Sequence, residues 1–202
     1  MKTRPFLYIF LRPVFKTLLY ILYRPTTVNK EYIPKEGGCV IAGNHMNALD
    51  PILVDVCTKR VVFALAKKEL HDGFFGFLFK GVGSIPVDFS KNKNHDALVS
   101  AVEYLNAGCL VNVSPEGGRN YTDEILLPFK MGAVVMARRT NVPIVPYSIT
   151  GEYRLFKKGL KICFGEPLYI NELEPERANE VLYEKVKELI LANRENSDGS
   201  RD

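Results

Sequence analysis

The sequence predicts an α/β fold: a mostly parallel central sheet flanked by helices, with an N-terminal amphipathic membrane-associating helix ahead of it. Short apolar runs recur at 39–44, 61–66, 84–88, 109–113, 142–149 and 161–165, each of a length suited to a buried strand. Segments of helical character lie between most of them, the alternation expected of a parallel sheet. No Pro/Ser/Gly-rich linker and no internal repeat divides the 202 residues, and 47% of them are hydrophobic, enough to build one core.

The first element is the stretch MKTRPFLYIFLRPVFKTLLYILYR, residues 1–24. Arg12, Pro13 and Lys16 interrupt it, so no uncharged run reaches the length of a membrane span, and no small-residue cleavage site follows it as in a secretory signal. Pro13 suits the first turn of a helix. At about 100° per residue, Leu11, Val14, Phe15, Leu18, Ile21 and Leu22 fall on one arc. Arg12, Lys16, Thr17 and Arg24 fall on the other, with Tyr20 and Tyr23 near the polar side. That pattern describes a helix lying in a membrane interface. Packing on the domain, or pairing with a second copy, is the alternative.

Residues 25–193 form one domain. PTTVNKEYIPKEGG reads as an extended segment and a turn, and leads into the apolar run at 39–44. That run ends in Asn44-His45, and five residues after His45 stands Asp50, followed by Pro51. Asp50 reads as a helix N-cap with Pro51 at the first helical position. In residues 95–106, Leu98, Ala101, Val102 and Leu105 recur at helical spacing, and Gly108 stops the helix. Helices are expected at 130–140 and 177–192, and the polar residues 194–202 read as a disordered tail.

The net charge is +4, with both signs mixed along the chain. This suits anionic substrates or an anionic membrane surface. There is no run of basic residues with interleaved aromatics, so nucleic acid is not an expected partner. Cys39, Cys57, Cys109 and Cys163 form no CxxC pair and read as reduced thiols of a cytosolic protein.

The chemistry gathers where strands end, as ligands do in such sheets. The turn from His45 to Asp50 can return the carboxylate to one imidazole nitrogen, fixing the tautomer and leaving the other nitrogen free as a base. Ser84, Ser90 and Ser114 lack the surroundings of a strand-to-helix nucleophile, so the nucleophile is expected to be a hydroxyl of the substrate. SPEGGR (114–119) is the complement. Gly117 and Gly118 let backbone N–H groups approach an oxyanion, Arg119 offers a planar fork for phosphate, and Glu116 can accept from hydroxyls. An acidic glycine turn with a surface arginine is the other reading of the same residues. Between these lies AKKELHDGFFGFLFKGVGSIPVDFSKNK, in which Lys67, Lys68, Lys91 and Lys93 flank a phenylalanine cluster. The cluster is either core or the apolar wall of a site for an amphiphile. His71 and His95 read as surface residues. His45 and Asp50, with no second histidine or carboxylate cluster near them, make a poor metal site.

Four blocks, in order from about residue 32 to 150, resemble the glycerolipid acyltransferases, in particular the 1-acyl-glycerol-3-phosphate (lysophosphatidate) acyltransferases. NHMNALD is similar to that family's His-x4-Asp motif, KKEL…GFFGFLFKGVGSIPVD to its second block, SPEGGR to its third, and VPIVPY to its fourth. The resemblance implies that His45 is the general base on the acceptor hydroxyl and Asp50 its orienter. It implies that Glu116 and Arg119 hold the glycerol phosphate and that Pro143 shapes the acyl side of the cleft. The donor would be an acyl-CoA or acyl-carrier protein thioester, with no cofactor and no metal, and the place of work the cytoplasmic face of the membrane among its lipids. The chain departs from the family pattern at Ser114, at Gly118 and at Phe89, where an arginine is usual after the aspartate. Lys68 or Lys91 would then supply the missing cation. Two further readings remain: an acyltransferase for another lysophospholipid or alcohol, and a non-catalytic module that binds lipid phosphate.

Overall fold

The computed structural model describes residues 5–88 and 94–198. Seven strands form one sheet: β1 (Thr26–Val28), β2 (Cys39–Gly43), β3 (Val62–Lys67), β4 (Ile85–Val87), β5 (Leu110–Val113), β6 (Ile144–Thr150) and β7 (Lys161–Phe164). Their order is β1-β7-β6-β2-β5-β3-β4. All neighbours are parallel except the β6–β7 pair. The apolar runs seen in the sequence are these strands, and the extended segment after residue 25 adds β1 at the edge.

The central strand β2 is buried throughout, which is why its sequence, CVIAG, shows no polar alternation. In its register Val40 faces Ile144 and Val111, and Gly43 faces Tyr147. A Cβ on Gly43 would collide with the Tyr147 carbonyl and ring, so glycine lets that ring lie across the end of β2. Helices α5 (His95–Asn106), α6 (Gly132–Thr140) and α7 (Pro175–Asp198) cover one face of the sheet, with Leu105, Val134, Leu182 and Val186 in that core. Helices α1 (Phe6–Tyr23) and α2 (Asp50–Val56) cover the other, with Leu19, Leu53, Val54 and Tyr147. The short helices α3 (Lys68–Asp72) and α4 (Gly76–Val82) join β3 to β4. α7 runs to Asp198, so residues 194–198, read from their polarity as part of a disordered tail, continue the helix.

α1 differs from its expected form in two ways. It starts at Phe6, after an extended Pro5, so Pro13 lies inside the helix instead of in its first turn. It also turns Arg12 inward. The guanidinium meets the Asp55 carboxylate at 3.2 Å and the carbonyls of Lys59 and Asp55, and the Tyr8 hydroxyl donates to the same carboxylate. Burial pushes the Asp55 pKa up, against the pull of Tyr8 and Arg12, and a buried carboxylate needs such partners. With Arg12 spent on Asp55, the outward side of α1 is mainly apolar: Phe6, Ile9, Phe10, Val14, Leu18 and Ile21 are all exposed. Where the charges in the sequence argued against a span, the 18 residues, at a mean hydropathy of 1.4, are long and apolar enough to cross a membrane by length and composition.

Candidate active site

The carboxyl ends of β2, β3, β5 and β6 all point to one edge, which places His45, Lys68, Ser114 and Gly151 just beyond four parallel strands. The His45 loop is fixed there almost completely. Asn44, buried at the end of β2, reaches β6 with its amide, donating to the Ile149 carbonyl at 2.9 Å and accepting from the Ile149 N–H at 2.7 Å. The His45 N–H donates to Glu116 Oε1 at 2.9 Å, and the His45 carbonyl accepts from the Asn120 N–H at 2.9 Å. The ring Nδ1 lies 3.0 Å from Asp50 Oδ2. Among the described residues Nε2 has no hydrogen-bond partner, and the ring lines a cavity of about 180 Å³ with Asn120, Thr150 and Arg194.

Asp50 is completely buried. Its Oδ2 also accepts from the Met46 and Asn47 N–H groups at 2.7 and 2.8 Å, and its Oδ1 from the Tyr153 hydroxyl at 2.6 Å. Backbone N–H groups can only donate, so Oδ2 is an acceptor and the imidazole must present an Nδ1 hydrogen to it. The second nitrogen, Nε2, then carries the lone pair, on a residue that lines the cavity. The sequence placed Asp50 as a helix cap. Instead Leu49 occupies that position and Asp50 opens the helix, its carboxylate turned back onto the 45–47 loop. Burial together with the Asp50 charge pushes the Tyr153 phenol far above its ordinary value of 10.0, so Tyr153 is a firm donor at neutral pH.

Glu116 is buried, and each carboxylate oxygen takes one backbone N–H, from His45 and from Leu127 at 2.8 Å. Burial raises its pKa, partly offset by those two bonds. It therefore ties the His45 loop to the 127 segment, and it lines the same cavity as His45, where the sequence had it accepting from substrate hydroxyls. Gly117 sits at φ +75° with its Cα against the Lys130 side chain, and its N–H is already given to the Ser114 carbonyl at 2.9 Å. Gly118 faces open space. Arg119 is exposed, with its guanidinium 5.2 Å from the Tyr121 ring centroid, and does not line the cavity. Lys68 lines a different concavity of about 370 Å³ with His71, Lys80, Ser84 and Tyr104. Lys91 and Phe89 lie outside the described residues. Pro143 precedes β6 at the opposite edge of the sheet, six residues and about 20 Å of strand from Ile149. VPIVPY instead serves the site through its far end, by Tyr147 and the residues after it.

His71, expected at the surface, is buried, with Nε2 at 3.0 Å from Ser84 Oγ. The Ser84 hydroxyl donates to the Phe79 carbonyl at 3.0 Å, so His71 must donate from Nε2. Burial, with Lys80 adding to it, lowers the His71 pKa below 6.5. The pair is a structural clasp. His95 is exposed as expected. Tyr153, Asn44, Asn120 and Arg194 had no place in the sequence-based site; Tyr153 and Arg194 stand far along the chain from His45, and no local spacing marks them.

Residues 24–150 match the family model described as Acyltransferase. The chain belongs to the acyltransferase family. It is 32% identical over 169 residues to the 1-acyl-sn-glycerol-3-phosphate acyltransferase of Bacillus subtilis, covering 81% of this chain and 83% of that one. To the Saccharomyces cerevisiae protein of the same name it is 30% identical over 183 residues, covering 81% of this chain and 57% of that one. The crystal structure of the 1-acyl-sn-glycerophosphate acyltransferase from Thermotoga maritima superimposes with a TM-score of 0.67 at 23% identity, over 91% of this chain and 78% of that one, which establishes the shared fold. The matched segment holds His45, Asp50 and Glu116. Tyr153 and Arg194 of this acyltransferase lie beyond it.

Proposed function

We propose that the chain moves a fatty acyl group from an acyl-CoA or acyl-carrier protein thioester to the sn-2 hydroxyl of 1-acyl-glycerol-3-phosphate, giving phosphatidate at the cytoplasmic face of the membrane. The observation that carries it is His45, a cavity-lining residue whose ring is locked through Nδ1 by Asp50 while Nε2 has no partner among the described residues. The acceptor hydroxyl would give its proton to Nε2 as its oxygen attacks the thioester carbonyl. The tetrahedral oxyanion would be held by backbone N–H groups of the glycine turn after Glu116. On collapse the C–S bond breaks and the proton on Nε2 passes to the leaving thiolate, so His45 ends neutral and no acyl-enzyme forms. Asp50 stabilises the transient imidazolium and keeps the tautomer. The names of the Bacillus and yeast relatives support this acceptor.

Arg119, with Lys130 beside Gly117, would meet the acceptor phosphate on the rim of the site, and Thr150, whose buried hydroxyl has no partner among the described residues, would meet glycerol oxygens inside it. The exposure of Arg119 favours a second reading, in which the acceptor is another lysophospholipid. The test is a panel of lysophospholipids and monoacylglycerol with acyl-CoA and acyl-carrier protein donors, scored by product mass. Phosphatidate from lysophosphatidate is the expected product. A product from a different acceptor only would establish the second reading, and no acyl transfer at all would refute both.

A further inference from the structure

Beyond the cavity, β6 and β7 are joined by residues 151–160, and this connection exposes two large apolar side chains. Leu155 is 57% and Phe156 59% exposed, and Phe156 holds a left-handed φ of +60° that an L residue rarely adopts. The loop is pinched at its base, where Gly151 at φ +81° runs against the Gly159 carbonyl so closely that a Cβ would not fit. Its tip is built: the Phe156 N–H donates to the Leu22 carbonyl at the end of α1 at 2.5 Å, and the Lys157 N–H to the Arg154 carbonyl at 3.3 Å. Arg154 is paired with Glu152 at 2.6 Å, and Lys157 and Lys158 follow, both exposed.

A loop tip that holds Leu and Phe in water, against backbone strain and beside two lysines, has the composition of an interfacial wedge. It also adjoins a second apolar surface. α1 ends at Tyr23, whose ring stands edge-on to Tyr153 at 5.3 Å, and Ile21 and Leu18 of α1 are exposed in the preceding turn. We propose that the 152–158 loop is a second lipid-contact element: Leu155 and Phe156 enter the interface of an anionic leaflet, Lys157 and Lys158 meet its phosphates, and the outward face of α1 lies in the same interface beside them. The occupant is a lipid surface because apolar side chains ringed by cations complement an anionic headgroup layer. Leu155 and Phe156 sit two and three residues from Tyr153, which donates to Asp50, so engagement would bring the mouth of the His45 cavity to the place where a lipid acceptor resides. This last step rests on the acyl-transfer reading; the lipid contact itself does not.

The chain contains no tryptophan, so one substitution makes a unique reporter. In Leu155→Trp, vesicles of mixed phosphatidylglycerol and phosphatidylcholine should shift the indole emission to the blue, and lipids brominated in the acyl chain should quench it. Tyr169→Trp, at an exposed position near the opposite edge of the sheet, beside Leu168 and its bridge to Ile144, should show neither. A Leu155→Trp spectrum unchanged by vesicles, or one that moves no more than that of Tyr169→Trp, overturns the proposal. Cosedimentation provides a second, independent readout. Leu155→Ser with Phe156→Asn, which keeps a residue tolerant of the left-handed conformation, should weaken vesicle binding about 10- to 100-fold. Lys157→Glu with Lys158→Glu, which leaves the apolar tip intact, should weaken it on anionic vesicles and leave zwitterionic vesicles unaffected. Wild-type binding by both double variants overturns the proposal. If these binding results hold while the protein transfers no acyl group to any acceptor, the acyl-transfer reading falls and the lipid contact stands.

Discussion

His45 and His71 each follow a strand, each at the carboxyl edge of the sheet, and each has one ring nitrogen within hydrogen-bond distance of a neighbouring side chain. They differ in which nitrogen is held and by what. At His45, which lines a cavity, a buried carboxylate takes Nδ1 and leaves Nε2 without a partner among the described residues. At His71 a serine hydroxyl, itself bound to the Phe79 carbonyl, takes Nε2. A histidine becomes a base when an acceptor fixes its inner nitrogen and nothing occupies the outer one. A histidine whose outer nitrogen is already bonded holds structure together.

The largest expected effect separates the two directly. His45→Ala should lower kcat/KM by roughly 10²–10⁴-fold, the usual weight of a general base, with circular dichroism and melting unchanged. His71→Ala should do the reverse: about 1–3 kcal/mol of stability lost through an unfilled, unpaired buried site, and kcat/KM within about tenfold of wild type. Steady-state kinetics beside denaturant unfolding measures both, and comparable loss of activity in the two variants would break the distinction.

Arg119→Ala sharpens the comparison from the substrate side. Loss of a bidentate contact to phosphate should raise the acceptor KM by about 10- to 100-fold, with the thioester KM nearly unchanged. An unaltered preference for lysophosphatidate over monoacylglycerol would show that the phosphate is read elsewhere.

The His45–Asp50 pair was legible in the sequence because it is local, five residues apart in one loop. What the rest of the site needed was invisible there for specific reasons. The Tyr153 hydroxyl reaches Asp50 across 103 residues, and only the β2–β6 pairing brings them together. The two bonds that hold Glu116 in place were not legible, because its partners are backbone N–H groups, which leave no mark on a sequence. The sheet was read nearly strand by strand, since central parallel strands are plain apolar runs. The orientation of α1 was not, because helical periodicity groups Arg12 with Lys16 and carries no information about Asp55 on another helix.

Tyr153→Phe is a smaller test of the same pair. It removes one donor to Asp50 and leaves the ring contact with Tyr23, so a loss of about 3- to 10-fold in kcat, from a bond worth roughly 0.5–1.5 kcal/mol, is expected. Wild-type kcat would show that Asp50 is held by its loop alone.

The smallest effect is on stability as a function of pH. The folded protein holds the His71 pKa below its unfolded value of 6.5, so the unfolded chain binds more protons in that range and stability rises with pH there. The contribution is complete above about 6.5 and is lost as pH falls through the folded value. Chemical denaturation across this range should show the slope in wild type and a flatter profile in His71→Ala. An identical slope in both would assign it to another group.

The tautomers test the central claim most directly. Long-range ¹⁵N–¹H correlation of the imidazole rings at mildly alkaline pH reports which nitrogen bears the hydrogen in each. The structure requires opposite answers: His45 protonated on Nδ1 with a free Nε2, and His71 protonated on Nε2. Asp50→Asn should disturb the first and leave the second as it is. A His45 ring that carries its hydrogen on Nε2 in the wild-type protein would contradict the account, because no base would then face the cavity.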